Sequence, residues 1–315
     1  MRINQVCVLG GSGFVGSAIV HKLSAAGYAV KVLSRRRESA KHLFLLPNVQ
    51  VVECNIMHDA ELSMHMQSCD AVINLIGILH ENSKTTFDAM HHELPKRVAA
   101  LCDRLGIKRL LHMSALQTSA DAPSAYLRSK AFGEAAVIAH SKKINITIFQ
   151  PSIIFGRGDN FLNMFATVVK LMPVVALAKP DAKFQPIWVE DVAEAFVNSL
   201  GNIDTYGKTY ELGGPRVYTM RELVEFVIFV LGKKRKIVGL NDKLSYWQAY
   251  AMEKLPIKLM TRDNFYSLQV DSVCKGPIAP ELGIKPTAIE VEVPEYLMND
   301  TPRAAYNRFR GLAGR

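Results

Sequence analysis

The chain has 315 residues, 49% hydrophobic and 21% charged, with a formal net charge of +9. That balance argues against a disordered or fibrous chain. The longest strongly apolar run, "FVIFVL" at 226–231, falls far below the roughly 20 residues a membrane-spanning helix needs. The positive charge favours anionic partners: nucleotide phosphates, nucleic acid or an acidic membrane surface.

The N-terminus "MRINQVCVLGG" enters a strand at once, with no signal-peptide or transit-peptide character. Five scattered cysteines (Cys7, Cys54, Cys69, Cys102, Cys274) contain no CxxC pair, which reads as reduced thiols and a cytoplasmic setting. Apolar strand-like runs follow at 5–9, 29–33, 49–52, 71–75, 110–113 and 144–149, with segments of helical period between them. Phe14, Val15, Ile19, Val20 and Leu23, for example, share one helical face. This alternation predicts an α/β chain with a Rossmann-type, doubly wound parallel sheet.

After Pro151 the pattern changes. Residues 156–180 predict one helix and an apolar loop, and 184–200 a short strand and a helix; "YELGG" closes another strand. Thr219-Met220-Arg221-Glu222 is a capping-box pattern, and Gly232 stands where that helix should end. Residues 233–315 read as helix-rich and broken by prolines. The expected division is a dinucleotide-binding domain over 1–155, to which 184–214 returns, and a smaller lobe over 156–183 and 215–315. That lobe should cover the C-terminal edge of the sheet, where open α/β sheets bind ligands.

"VCVLGGSGFVGSAIVHKL" runs strand, glycine turn, helix, and Gly10, Gly13 and Gly16 form GxxGxxG. The first glycine permits the turn, the second lets backbone approach a pyrophosphate, and the third lets helix pack on strand. The helix N-terminus then offers free N–H groups and a positive dipole. The second strand ends Ser34-Arg35-Arg36-Arg37, with no carboxylate before Glu38 to accept the ribose hydroxyls of NAD. A small hydroxyl beside planar cations suits a 2′-phosphate, so NADP(H) is expected in preference to NAD(H). The expected cofactor contacts are Gly10, Ser12, Gly13, Phe14, Val15 and Gly16 in the loop, and Ser34, Arg35 and Arg36 after the second strand. Asn55 and Ile56 follow the third strand, Leu75, Ile76 and Gly77 the fourth, Met113 the fifth, and Pro151 and Ile153 the sixth.

"SAYLRSK" sets Tyr126 four residues ahead of Lys130, on one helix face. The spacing alone is uninformative in a chain with ten tyrosines. Its address, a dozen residues beyond a strand that ends at Ser114, makes it a cofactor site. A free tyrosine, with a pKa of about 10, is a poor acid at neutrality, and a nearby ammonium stabilises its phenolate. Ser114 would orient a substrate oxygen, Tyr126 move the proton, and Lys130 also bind the nicotinamide ribose.

These motifs, with "QPSIIFGRGDNF", "PIWVEDVAEAF" and "YELGGP…YTMRELVEFV", resemble the extended, atypical branch of the short-chain dehydrogenase/reductase superfamily over most of 1–231. "RSKAFGE", "TRDNFYSLQVD" and "LGIKPTAIEVEVPEYL" are more narrowly similar to bacterial relatives of the nucleotide-binding accessory subunit (alpha subcomplex subunit 9) of mitochondrial complex I. The resemblance implies bound NADP(H) in a family whose mitochondrial member keeps its nucleotide structurally, without turnover. Other relatives assist quinone biosynthesis or the assembly of membrane redox complexes. Cys54-Asn55 departs from the Gly-Asp of many relatives, while Ser114, Tyr126 and Lys130 are intact.

Two readings of function stand. One is an NADP(H)-dependent oxidoreductase acting on an apolar, quinone- or isoprenoid-like substrate, or a sugar-nucleotide epimerase or dehydratase; the apolar second half fits the former better. The other is a non-catalytic accessory or assembly factor for a respiratory or quinone-related system. His91-His92 and Met64-His65-Met66 lack a third ligand at regular spacing, so no metal is expected and the histidines read as surface or interface groups. Lys233–Lys236 reads as a cationic helix end. No nucleic-acid groove is evident. The arginine-rich tail 301–315 could lie on the inner face of an acidic membrane or fray.

Overall fold

The computed structural model describes residues 3–82, 85–255 and 259–298. The chain forms two compact units: Met1–Ser152, Val189–Leu212 and Cys274–Lys285 make the first, and Ile153–Trp188, Gly213–Val273 and Pro286–Arg315 the second.

The first unit holds strands β1 (Gln5–Leu9), β2 (Ala29–Ser34), β3 (Val49–Glu53), β4 (Ala71–Asn74), β5 (Arg109–Met113) and β6 (Asn145–Pro151). A seventh strand, Lys208–Leu212, pairs with β6, and every neighbour pair is parallel. The order runs from Lys208–Leu212 through β6, β5, β4 and β1 to β2 and β3. The winding therefore reverses between β1 and β4, which opens a crevice at their C-terminal ends.

Helix α1 (Phe14–Ala25) lies beside the helix Val189–Leu200, with Lys22 between Glu190 and Glu194. Helices α2 (Asp59–Met66), α3 (Leu94–Leu105) and α4 (Ala125–Ile138) contribute to a separate core cluster that contains none of α1. Burial on both faces is why these strands read as nearly continuous apolar runs. Cysteines scattered in sequence meet there: Cys7, Cys54, Cys69 and Cys102 are free thiols of that one cluster. Residues 274–285 also join this unit, which differs from the division expected from sequence. Glu281 accepts hydrogen bonds from Lys208 Nζ and Tyr210 Oη, its backbone oxygen accepts from Asn202, and Leu282 is buried.

In the second unit, residues 174–178, expected as an apolar loop, form a strand paired with Lys236–Leu240. Both helix signals at 219–232 are realised: Thr219 and Glu222 cap each other's backbone, and Gly232 adopts a positive φ of 61°. Lys236 opens a strand instead of merely ending a helix. The "GRGDNF" motif is structural. Asp159 accepts from the N–H groups of Gly156, Phe161, Leu162 and Asn163 and from Tyr296 Oη, tying the helix Leu162–Leu171 to the helix Ile289–Met298. The tail 301–315 lies outside the described residues.

Arg109 is the largest fully buried side chain of the first unit. Its guanidinium donates to the carbonyls of Leu200, Asn145 and Ser199 and the hydroxyls of Thr147 and Thr205, at 2.7–3.1 Å, and lies 4.6 Å from the Tyr206 ring centroid. Burial pulls its pKa down to about 10, still charged at neutrality. Arg109→Met should leave several acceptors unpaired and cost about 3 kcal/mol in urea denaturation. Arg109→Lys should recover only part of that, because an ammonium cannot reproduce the planar fork.

Candidate functional site

The glycine loop is shaped by steric exclusion. Gly10 has φ of 82°, and a Cβ on Gly16 would sit 2.1 Å from the Gly10 carbonyl oxygen. Glycine at 16 is thus what lets α1 start against the end of β1. Gly13 caps α1 with no side-chain hydrogen bond, and the first turn contains no acid. The helix N-terminus consequently presents backbone N–H groups without a side chain capping them. Ser12, Gly13, Phe14 and Val15 are exposed or half-buried around it.

After β2, Arg35 and Arg36 are exposed and form no ion pair among the described residues, whereas Arg37 lies over the Phe44 ring. Ser34 Oγ donates to the Arg36 carbonyl at 2.9 Å and meets Ser39 Oγ at 3.2 Å. These bonds help to fold the basic turn. Asn55 Oδ1 similarly accepts the Met57 N–H at 3.1 Å and shapes the turn after β3, with Ile56 buried beneath it.

The loop after β4 meets α4 through His91. Nε2 of His91 accepts the Ile78 N–H at 2.9 Å, which puts the ring proton on Nδ1, 2.9 Å from Ser129 Oγ. Ser129 Oγ in turn donates to the Tyr126 carbonyl at 2.7 Å. Gly77 lies against Lys130: a Cβ there would be 3.3 Å from Nζ. His91 comes from a turn of π-helix, Asp88–Glu93, and Gly133 permits the contact, since a Cβ there would meet the His91 carbonyl oxygen. His91 is therefore an interior group, which corrects its reading as a surface or interface histidine; His92 pairs with Asp88 at 2.9 Å. The twin-histidine sequence carries no sign of which one turns inward.

Tyr126 is half-buried, with its ring edge-on to His91 (5.2 Å) and Phe87 (5.8 Å). Lys130 is 3% exposed, and its Nζ donates to the Met113 carbonyl at 3.1 Å. Burial pulls Lys130 down to about 8, against a favourable field from Glu134. Burial and the Lys130 charge keep His91 neutral down to about 2 and His112 down to about 3. Asn74 bridges the strands, meeting His112 Nδ1 at 3.3 Å and accepting the Ile76 N–H at 3.2 Å. At the end of β5, Ser114 Oγ and His112 Nε2 are buried without a partner among the described residues. An orphaned hydroxyl at the end of β5, a buried cation, an uncapped helix N-terminus and a free arginine pair fit a nicotinamide dinucleotide. Leu75 and Pro151 are buried at the ends of β4 and β6, and Ile153 begins the second unit.

Comparison with known proteins agrees with this chemistry. The family described as "NAD dependent epimerase/dehydratase family" matches residues 6–213, and the chain belongs to it. A mitochondrial "NADH dehydrogenase [ubiquinone] 1 alpha subcomplex subunit 9" from Arabidopsis thaliana is 31% identical, over 88% of this chain and 71% of that protein. Its namesake from Mus musculus is 30% identical over 92% and 78%. Among solved structures, dTDP-glucose 4,6-dehydratase from Bacillus anthracis, in complex with NAD, superposes with a TM-score of 0.68 at 18% identity, covering 93% of this chain and 95% of that one. It shares the fold.

The buried lysine sets a pH test. Its folded pKa of about 8 lies below the ordinary value of 10.5, so the unfolded chain binds more protons between those values. Wild type should therefore gain stability over Lys130→Met as pH rises from 8 to 10, by about 2 kcal/mol in denaturant titrations. Parallel pH profiles for the two proteins would contradict the burial of a charged lysine.

Proposed function

We propose that the chain is an NADP(H)-binding accessory or assembly protein of a respiratory-type membrane complex, holding its nucleotide without turning it over. The observation that carries this reading is the likeness, near 30% identity over most of the chain, to proteins named as alpha subcomplex subunits of complex I. Backbone N–H groups at the start of α1 hold the pyrophosphate. Arg35 and Arg36 take the 2′-phosphate, and Lys130 binds the nicotinamide ribose.

A second reading is favoured by the intact Ser114, Tyr126 and Lys130. The bound nucleotide would supply a hydride, to an apolar quinone- or isoprenoid-like substrate. Ser114 Oγ would hold the substrate oxygen, Tyr126 would give its phenolic proton to it, and the Lys130 ammonium would stabilise the phenolate left behind.

Calorimetry with the purified chain should give NADPH an affinity at least about tenfold above NADH, and Arg35→Ala/Arg36→Ala should remove that preference. Equal affinities in wild type would refute the 2′-phosphate assignment. In cells lacking the protein, Tyr126→Phe should restore function as well as wild type under the accessory reading; a failure of a stably folded Tyr126→Phe favours hydride transfer.

A further inference from the structure

We infer that the second unit carries a docking surface for an anionic lipid bilayer, formed by residues 171–174, the strand Lys236–Leu240 and the helix Asp242–Glu253. The inference is independent of the nucleotide and of the arginine-rich tail.

The surface begins as the open face of a two-stranded sheet. In the strand Val174–Ala178, Val175 and Leu177 point into the core while Val174 and Ala176 are exposed. Their register partners Lys236 and Val238 are exposed as well. Just ahead of that strand, Leu171 is 74% and Met172 52% exposed. The helix Asp242–Glu253 packs on the strand through buried Ser245 and Ala249, and Gln248 Nε2 donates to the Ala176 carbonyl at 2.9 Å. That packing turns Leu244 and Trp247, one helical turn apart, outward at 53% and 63% exposure. Trp247 also lies edge-on to the partly exposed Tyr250. Soluble surfaces rarely leave so many large apolar groups together without a partner.

Charge selects the partner. Residues 170–179 and 233–254 contain eight lysines and arginines and two acids, Asp242 and Glu253. Asp242 pairs with Lys179 and Glu253 with Arg262, so the acids are neutralised locally. Lys170, Lys234, Lys236 and Lys243 stay exposed beside the apolar groups. A tryptophan and a tyrosine with apolar bodies and polar tips, flanked by lysines with flexible stems, suit the headgroup region of an acidic leaflet. A protein partner would need a matching acidic, apolar groove. A bilayer of anionic lipid supplies both chemistries over any footprint.

The test uses the full chain with vesicles of phosphatidylcholine alone or mixed with phosphatidylglycerol. Cosedimentation should occur with the mixed vesicles at low salt, weaken about tenfold or more at high salt, and be absent with phosphatidylcholine alone. In a Trp188→Phe background, Trp247 emission should shift to the blue on binding. Lys236→Glu/Lys243→Glu and Leu171→Ser/Trp247→Ser should each weaken binding about tenfold or more while leaving NADPH affinity unchanged. Two results would overturn the inference: no binding to either vesicle, whether or not the chain forms a dimer that Trp247→Ser dissociates, or binding that both variants retain but removal of 301–315 abolishes.

Discussion

Helix α1 can begin where it does only because position 16 has no side chain. With the Gly10 oxygen 2.1 Å from where a Cβ would stand, any larger residue would push the helix off the end of β1. Because the strand order reverses between β1 and β4, that helix start faces the crevice between them. Gly10 lies against the loop after β4, and Gly77 of that loop lies against the lysine of α4. The steric fit of two glycines thus fixes where α1 begins, and the rest of the first unit supplies its surroundings.

Those surroundings are electrostatically asymmetric. Two imidazoles are held neutral and one ammonium is held charged, all largely buried. His91 ties the loop after β4 to α4: its tautomer is set by the Ile78 N–H, and its other nitrogen reaches the Tyr126 turn through Ser129. Lys130 bears the cost of burial with one carbonyl partner and the field of Glu134. A bound nucleotide ribose and the orphaned Ser114 hydroxyl would complete an interior that is polar but incompletely paired.

The sheet was legible in the sequence because strands buried on both faces leave long apolar runs, and all six expected runs became strands within a residue or two at either end. The glycine loop was legible for a steric reason, and the helix that carries Tyr126 and Lys130 by its address after β5. The local hydrogen bonds of polar turn residues were not. The oxygens of Ser34 and Asn55, expected beside the cofactor, also fold their own turns, a use set by backbone geometry that residue type does not encode. His91 was missed because the π turn that inverts it has no sequence signal beyond a glycine, Gly133, on another helix. The strand at 174–178 was missed because its partner, Lys236–Leu240, lies far along the chain inside a basic run.

The central claim is that the nucleotide is kept and not consumed. It is tested most directly by loading the purified chain with NADPH and following the reduced-nicotinamide absorbance of the bound fraction. The panel of challenges would comprise quinones, aldehydes and sugar nucleotides, with and without membranes bearing a respiratory complex. Stoichiometric NADPH that stays bound and reduced throughout is the expected result. Oxidation that is catalytic in any of these acceptors and lost in Tyr126→Phe would contradict the account and make the chain an oxidoreductase.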